Sequence, residues 1–282
     1  MELLRAQNAR GHFVCVGLDS EFAKIPECVR SGRTADVAIA AFNRAIVERT
    51  GDLVCAYKPN VAFYEAHGGA GIEVLRHTIN DIRSLAPEVP VILDAKRGDI
   101  GNTNNGYVQM AFEYLGVDAI TVHSYLGREA LQPFLDRVDK GIFVLCRTSN
   151  PGASEFQNLP VNGGPLYRFV ARRVASEWNK NGNCGVVVGA TYPEELVKVR
   201  AIVGDMPILI PGIGAQGGDL EKTVAAGKDS FDQGMIINSS RGIIFASNGP
   251  DFAEAARRET QKLHDAITRC LSNGGEQCRQ SS

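Results

Sequence analysis

The sequence predicts a single-domain (β/α)8 barrel, and three observations predict it. Short apolar runs alternate with longer segments of helical periodicity eight times along the chain. The apolar runs are continuous, as in parallel strands buried on both faces, rather than alternating. The 282 residues carry no low-complexity linker, and roughly 250 is typical of such a barrel. A doubly wound open sheet is the alternative, but eight units without a composition break favour closure. No repeat is visible beyond the unit itself.

Residues 2–10 read as a leading helix, and 13–19 as a buried strand ending on Asp19. Helix 34–49 follows, with Thr34 at its N-cap and Ala38, Phe42, Ala45 and Ile46 on one face. Strand two, 53–58, ends on Lys58; helix 70–85 leads to strand three, 90–96. Helix 104–115, strand four at 119–122, helix 127–138 and strand five at 142–146 continue the alternation. A longer polar loop, 147–162, carries Ser149-Asn150-Pro151-Gly152. Helix 164–180 precedes strand six, 185–189, and Pro193 suits the first turn of helix 193–203. Strand seven is 207–210, helix seven about 218–227, and strand eight 234–237. A last helix, 251–271, presents Phe252, Ala255, Ala256, Leu263, Ala266, Ile267 and Cys270 on one face. The barrel domain is expected to span 1–271. The Gly-, Gln- and Ser-rich residues 272–282 are expected to form a frayed tail.

Hydrophobic residues make up 44% and charged residues 22%, so a large core needs no disulfide or metal staple. The net charge of −2 and the lack of a long basic run give no reason to expect nucleic acid or an anionic membrane as partner. A local anion site stays open. The seven cysteines form no C-x-x-C pair, and Cys15, Cys55, Cys146 and Cys184 lie in or beside apolar runs. They read as small buried hydrophobes in a reducing compartment. With no apolar signal core at the N-terminus and no span-length apolar run, a cytoplasmic protein is expected.

The chemistry concentrates in the stretch 91–103. Side chains alternate faces along a strand, so Asp94 and Lys96 should point the same way. Asp99 lies past the strand end and is free of that direction. Taken alone, the pair also admits a blander reading as a structural ion pair at a sheet end. In a barrel, however, the loops after the strands form the active-site face. There Asp19, Lys58, Asp94 and Lys96 converge from three neighbouring strands with alternating charge, which points to catalysis. Magnesium favours carboxylates without ammonium groups among them. The five histidines lack zinc-ligand spacing, and His123, near the rim, reads as a satisfied hydrogen-bonding residue. No cysteine sits suitably for a Cys–His nucleophile. Neither metal nor cofactor is expected.

The run Pro211-Gly212-Ile213-Gly214-Ala215-Gln216-Gly217-Gly218 follows strand seven, and Asn238-Ser239-Ser240-Arg241-Gly242 follows strand eight. These two loops are the usual phosphate site of this barrel. Gly212 and Gly214 allow close backbone approach, Gln216 is a candidate ligand contact, and Arg241 can donate a bidentate pair. Gly212-x-Gly214-x-x-Gly217 also matches a dinucleotide fingerprint. It lies in the seventh unit without an acidic residue ending the next strand, so a phosphate monoester is preferred. Lysines with a phosphate grip suit chemistry at carbon, where an ammonium group stabilises and then protonates a carbanion. A Schiff base to Lys58 or Lys96 is the alternative. A lysine held between two carboxylates stays protonated, which favours a proton donor.

Asp94-Ala95-Lys96-Arg97-Gly98-Asp99-Ile100-Gly101-Asn102-Thr103 closely resembles the D-x-K-x-x-D-I-G-N-T signature of the orotidine 5′-monophosphate decarboxylase family. The resemblance covers nearly the whole chain: Asp19 and Lys58 match the first two strand ends, 149–153 the base-contacting loop, 212–218 the phosphate loop and Arg241 the phosphate arginine. It implies a homodimeric, cofactor-free barrel that converts orotidine monophosphate to UMP and CO2, the last step of de novo UMP synthesis. Lys96 would protonate C6, Asp94 would face the departing carboxylate, Lys58 would bridge Asp94 and the ribose, and Asp19 would hold a ribose hydroxyl. Asp99, Ile100 and Thr103 would reach the neighbouring subunit's site. Ser149, in the loop with Pro151, would read the pyrimidine, while Gln216 and Arg241 would close on the phosphate. Two departures stand out. Ser240 replaces the glycine that many members carry before the arginine, as in the longer bacterial branch, and the 147–162 loop is long.

Two other functions fit the same residues. One is a metal-dependent sugar-phosphate decarboxylase or aldolase of related D-x-K-x-x-D barrels. The other is a catalytically silent barrel that binds nucleotides, against which intact Asp94 and Lys96 argue.

Overall fold

Eight parallel strands form one sheet among the described residues: β1 Val14–Gly17, β2 Val54–Lys58, β3 Ile92–Arg97, β4 Ala119–Val122, β5 Gly141–Arg147, β6 Cys184–Val188, β7 Ile208–Pro211 and β8 Met235–Ser239. The computed structural model describes residues 1–213 and 219–279, with side chains through Asn273. The strands are hydrogen-bonded in the order β2-β1-β8-β7-β6-β5-β4-β3. The two ends of that order meet through single bridges, Tyr57 with Val91 and Asn60 with Asp94. The Asp94 N–H donates to Pro59 O at 2.9 Å, so the ring closes at the strand that carries the charged stretch. This is the predicted barrel, with a helix after each strand.

Apolar residues of the strands face two ways. One set fills the barrel: Cys15, Ala56, Ile92, Phe143, Val187 and Ile236 pack there, with Leu4 of the leading helix Glu2–Ala9 at the lower mouth. The other set packs against the helices. On Ala35–Thr50, Ile39, Phe42 and Ile46 are buried, and Phe42 stacks on Phe245 and Phe252 at 5.6 and 5.2 Å. Phe143 owes its place to Gly185, its register partner on β6. A Cβ at position 185 would lie 2.5 Å from Phe143 Cε1 and 2.8 Å from Pro207 O.

Several boundaries differ from those expected. β1 ends at Gly17, which leaves Asp19 in the following loop. Thr34 takes the N-cap position but makes no side-chain cap bond. The helix after β3 starts at Gly101 and loosens into a π-helix over Gln109–Tyr114, as the one after β5 does over Val174–Trp178. Inside the long loop after β5, Pro160–Val161 pairs with Gly164–Pro165. The intervening Asn162 and Gly163 both have positive φ, +50° and +77°, as a type I′ hairpin turn requires. The last helix is longer than the expected 251–271. It runs Phe252–Arg279, through Gly274 and Gly275, because each residue added to an existing helix gains a hydrogen bond without a new nucleus. Among the described residues, no helix is long and apolar enough to cross a membrane.

Replacing Gly185 by alanine should lower stability by about 1–3 kcal/mol, because the added methyl overpacks against a fixed ring and a backbone carbonyl. Calorimetric Tm would fall, and Phe143→Leu in the same chain should recover part of the loss. An unchanged Tm for Gly185→Ala would show that the barrel interior is looser than this packing.

Candidate active site

β3 does not end as a regular strand. Its register against β4 shifts between Leu93 and Arg97, and Lys96 sits in the left-handed region at φ +48°. That conformation costs a non-glycine residue about 1–2 kcal/mol. The buried hydroxyl of Thr121 on β4 stabilises the irregularity. Thr121 Oγ1 accepts from the N–H groups of both Ala95 and Lys96 at 3.0 Å and donates to Asp94 Oδ1 at 2.9 Å. The distorted turn brings Lys96 Nζ to 2.6 Å from Asp94 Oδ1. The expected shared direction of the two side chains is therefore reached through a bulge, not by strict alternation.

On its other oxygen Asp94 accepts from Lys58 Nζ at 3.1 Å, and Lys58 lies 3.9 Å from Asp19 Oδ1. The Lys58 side chain is 4% exposed and that of Asp94 12%, whereas Lys96 is 48% exposed. Burial works against both buried charges, and mutual attraction outweighs it. At 3.1 Å and an effective dielectric of about 20, the attraction is about 5 kcal/mol. Burial alone would lower the Lys58 pKa, but Asp94 and Asp19 raise it well above the ordinary lysine value. Burial alone would raise the Asp94 pKa, but Lys58 and Lys96 hold it far below the usual carboxylate range. Asp94 and Lys58 are thus both charged at neutral pH.

Asp19 is carried by a loop fixed on both sides. Tyr64 Oη donates to Leu18 O at 3.0 Å, and Ser20 Oγ donates to Asn43, which also binds Tyr64 and Thr78. All four of those side chains are buried. Asp19 Oδ1 is itself buried and has no hydrogen-bond partner. A buried acceptor left open beside a cavity fits a hydroxyl brought by a ligand.

Asp19, Lys58 and Asp94 line a cavity of about 150 Å3 with Pro211, Gly212 and Ile213 after β7 and with Asn238, Ser239, Ser240 and Arg241 after β8. Charges and phosphate-loop candidates from five strands therefore meet in one place. Gly212 has φ +106°, open to glycine without strain. Gly17 leaves room for Ser240, since a Cβ at 17 would lie 1.9 Å from Ser240 Oγ. Larger hollows exist, including one of about 450 Å3 behind β3, but Asp19, Lys58 and Asp94 do not line it.

Asp99, Ile100 and Thr103 do not join this cavity. His123 Nε2 donates to Gly98 O at 2.8 Å while its Nδ1 accepts from the Tyr125 N–H, as expected of a satisfied histidine. Buried Asn104 binds both the N–H and the C=O of Asp99. The clamped turn presents Ile100 at 66% exposure. Ser149 and Pro151 lie outside the cavity lining. Ser149 is close against β6: a Cβ at Gly189 would sit 2.8 Å from its Cβ. Gly214 and Gln216 lie outside the described residues. Burial pushes the Cys15 thiol up to about 12, so that cysteine behaves as an inert hydrophobe. Among the described residues, no cluster of three or more His, Cys, Asp or Glu has the arrangement to hold a metal ion.

Thr121 was missed by sequence reasoning, although the pattern Ala119-x-Thr121 places a hydroxyl inward at a strand's C-terminal end. Asn238, expected in the loop after strand eight, lies within β8, buried with its Nδ2 donating to Cys15 O at 3.0 Å.

Residues 13–258 match the model of the orotidine 5′-phosphate decarboxylase / HUMPS family. The orotidine 5′-phosphate decarboxylase of an Azoarcus species is 51% identical over 268 residues, which cover 95% of this chain and 97% of that one. Among solved structures, the OMP decarboxylase of Leishmania donovani superposes with a TM-score of 0.82 at 37% identity, covering 96% of this chain and 97% of that one. The UMP synthase of the same organism gives a TM-score of 0.83 at 38% identity, covering 96% of this chain and only 56% of that longer chain. A family match that takes in every described residue of the charged cavity and its rim leaves one assignment: the chain belongs to the orotidine 5′-phosphate decarboxylase / HUMPS family.

Proposed function

We propose that this protein decarboxylates orotidine 5′-monophosphate to UMP and CO2, supplying UMP in pyrimidine biosynthesis. The observation that carries the reading is the array Lys58–Asp94–Lys96, of which Lys58 and Asp94 line a cavity whose other wall is made by the loops after β7 and β8, with Lys96 joined to it through Asp94. The substrate's phosphate would lie against Gly212, Gly214, Gln216 and Arg241. Its ribose would meet Asp19 and Lys58, and its base Ser149. The C6 carboxylate would then point at Asp94, which is held ionised and cannot yield by protonation. Breaking the C6–carboxylate bond releases CO2 and leaves an electron pair at C6. The Lys96 ammonium stabilises that charge and transfers a proton to C6.

Exposure and charge separate the roles of the two lysines. Lys58 is buried between two carboxylates that raise its pKa, which makes it a poor acid and a good strut. Lys96 is half exposed and can recover its proton from water. No metal or cofactor takes part in this scheme. The ammonium groups at 2.6 and 3.1 Å already engage both Asp94 oxygens, which disfavours the metal-dependent sugar-phosphate reading. Asp99, Ile100 and Thr103 serve the partner's site in a homodimer. The exposure of Ile100, on a turn clamped away from its own cavity, supports this. A cytoplasmic location is supported by the described cysteines, all free thiols.

Incubating purified protein with orotidine 5′-monophosphate should deplete substrate absorbance equally with and without EDTA. No depletion would sink the reading, and loss with EDTA would favour the metal-dependent one. Lys96→Ala should lower kcat by at least about 100-fold through loss of the general acid. Mixed dimers of Lys96→Ala and Asp99→Ala should regain activity through one intact site, and no recovery after subunit exchange would count against a shared site. The pH dependence of stability follows from the two shifts. A depressed carboxylate stabilises the fold above about pH 4 and loses that effect as pH falls through its lowered value. A raised lysine stabilises below about pH 10 and loses that effect only above it. The Tm gap between wild type and Asp94→Asn should therefore be widest near pH 7 and narrow below about pH 4. A gap independent of pH would contradict the ionised pair.

A further inference from the structure

The end of β5 carries a further buried charge, one that the proposed reaction does not use. Arg147, at the last position of the strand, has a side chain only 4% exposed. Its Nε donates to Glu195, on the helix Pro193–Val203 after β6, and its guanidinium lies 4.9 Å from the ring centre of Tyr192. The other end of the fork turns to the 148–158 loop. Arg147 Nη1 donates to Thr148 O at 3.1 Å and to Gln157 Oε1 at 3.2 Å. Gln157 relays the grip: its Oε1 accepts from the Thr148 N–H at 2.9 Å and its Nε2 donates to Thr148 Oγ1 at 2.8 Å. Thr148 Oγ1 in turn donates to Asn150 Oδ1 at 2.7 Å.

Ser149 sits between two residues held by this chain of bonds. It is pressed against β6 at Gly189, whose N–H donates to Arg147 O at 2.8 Å. We infer that Arg147, through Gln157 and with Glu195 as its counter-ion, is a positioning residue that sets the register of the base-reading loop 148–153 against the end of β6. The inference rests on the reading that Ser149 meets the pyrimidine. Removing a buried arginine from a plain ion pair would harm the whole fold. Removing this one should also spoil recognition of the base selectively, because the loop it grips carries Ser149 and not the phosphate or ribose contacts. A lysine cannot replace the arginine, since one ammonium group cannot span Glu195, Thr148 and Gln157 in a planar fork.

The test uses two ligands of the intact protein that differ by the base, UMP and ribose 5-phosphate, with kcat and KM for orotidine 5′-monophosphate. Arg147→Lys and Gln157→Leu should each weaken UMP inhibition by about tenfold or more and leave ribose 5-phosphate within about twofold. KM should rise more than kcat falls. Gln157→Leu keeps the arginine–glutamate pair, so it remains informative if Arg147→Lys folds poorly. Ser149→Ala separates the two levels. If Ser149→Ala shows a base-selective loss and Gln157→Leu does not, the positioning role is overturned while the base-reading loop stands. If Ser149→Ala shows none, the reading of that loop fails first and the positioning role falls with it. Equal weakening of both ligands by Gln157→Leu would also overturn it, because it would mark a general loss of structure.

Discussion

Asp94 holds a full negative charge where a solitary carboxylate would not stay ionised. Its two oxygens are taken by two ammonium groups and a hydroxyl, and one of those ammonium groups is itself buried between Asp94 and Asp19. Each charge is tolerable only because the others are present: without Asp94, Lys58 would keep only a carboxylate 3.9 Å away. The barrel supplies what the array cannot. Three strands fix the distances, the bulge in β3 turns Lys96 toward Asp94, and Thr121 satisfies the backbone N–H groups that the bulge frees.

This arrangement is costly in a fold that could have ended β3 as a regular strand. A left-handed lysine and a broken register both oppose stability. Strain of this kind collects where chemistry demands a direction that regular structure does not offer. The dense apolar barrel below, with Phe143 seated over Gly185, supplies the rigidity that keeps it in place.

The strands were legible in the sequence because a parallel strand buried on both faces leaves an unbroken apolar run. The strand-end charges were legible because a barrel puts all such ends on one rim. Asp94 and Lys96 were matched correctly by alternation, although a bulge brings them together, so the pattern reached the right pairing through an incomplete cause. Thr121 was less legible: alternation places its hydroxyl inward at a strand end, but does not say which groups of the next strand it will bond. The Asn162-Gly163 hairpin had a readable signal that the loop's polar composition hid. Arg147 and Glu195 are 48 residues apart in sequence, and the pairing of β5 with β6 brings the end of β5 beside the helix after β6. The last helix outran its expected end because glycine weakens a helix without being obliged to stop it. Gly214 and Gln216, read from sequence as phosphate contacts, lie outside the described residues.

The ionisation of Asp94 is open to direct observation. Carbon-13 labelling of aspartate, with Asp94→Asn to assign the signal, lets its carboxyl resonance be followed by NMR as the pH is lowered. A carboxylate held by Lys58 and Lys96 stays at its ionised shift well below the ordinary value near 4. Titration of that resonance at or above about 4 would contradict the ion-paired array on which the proposed chemistry depends.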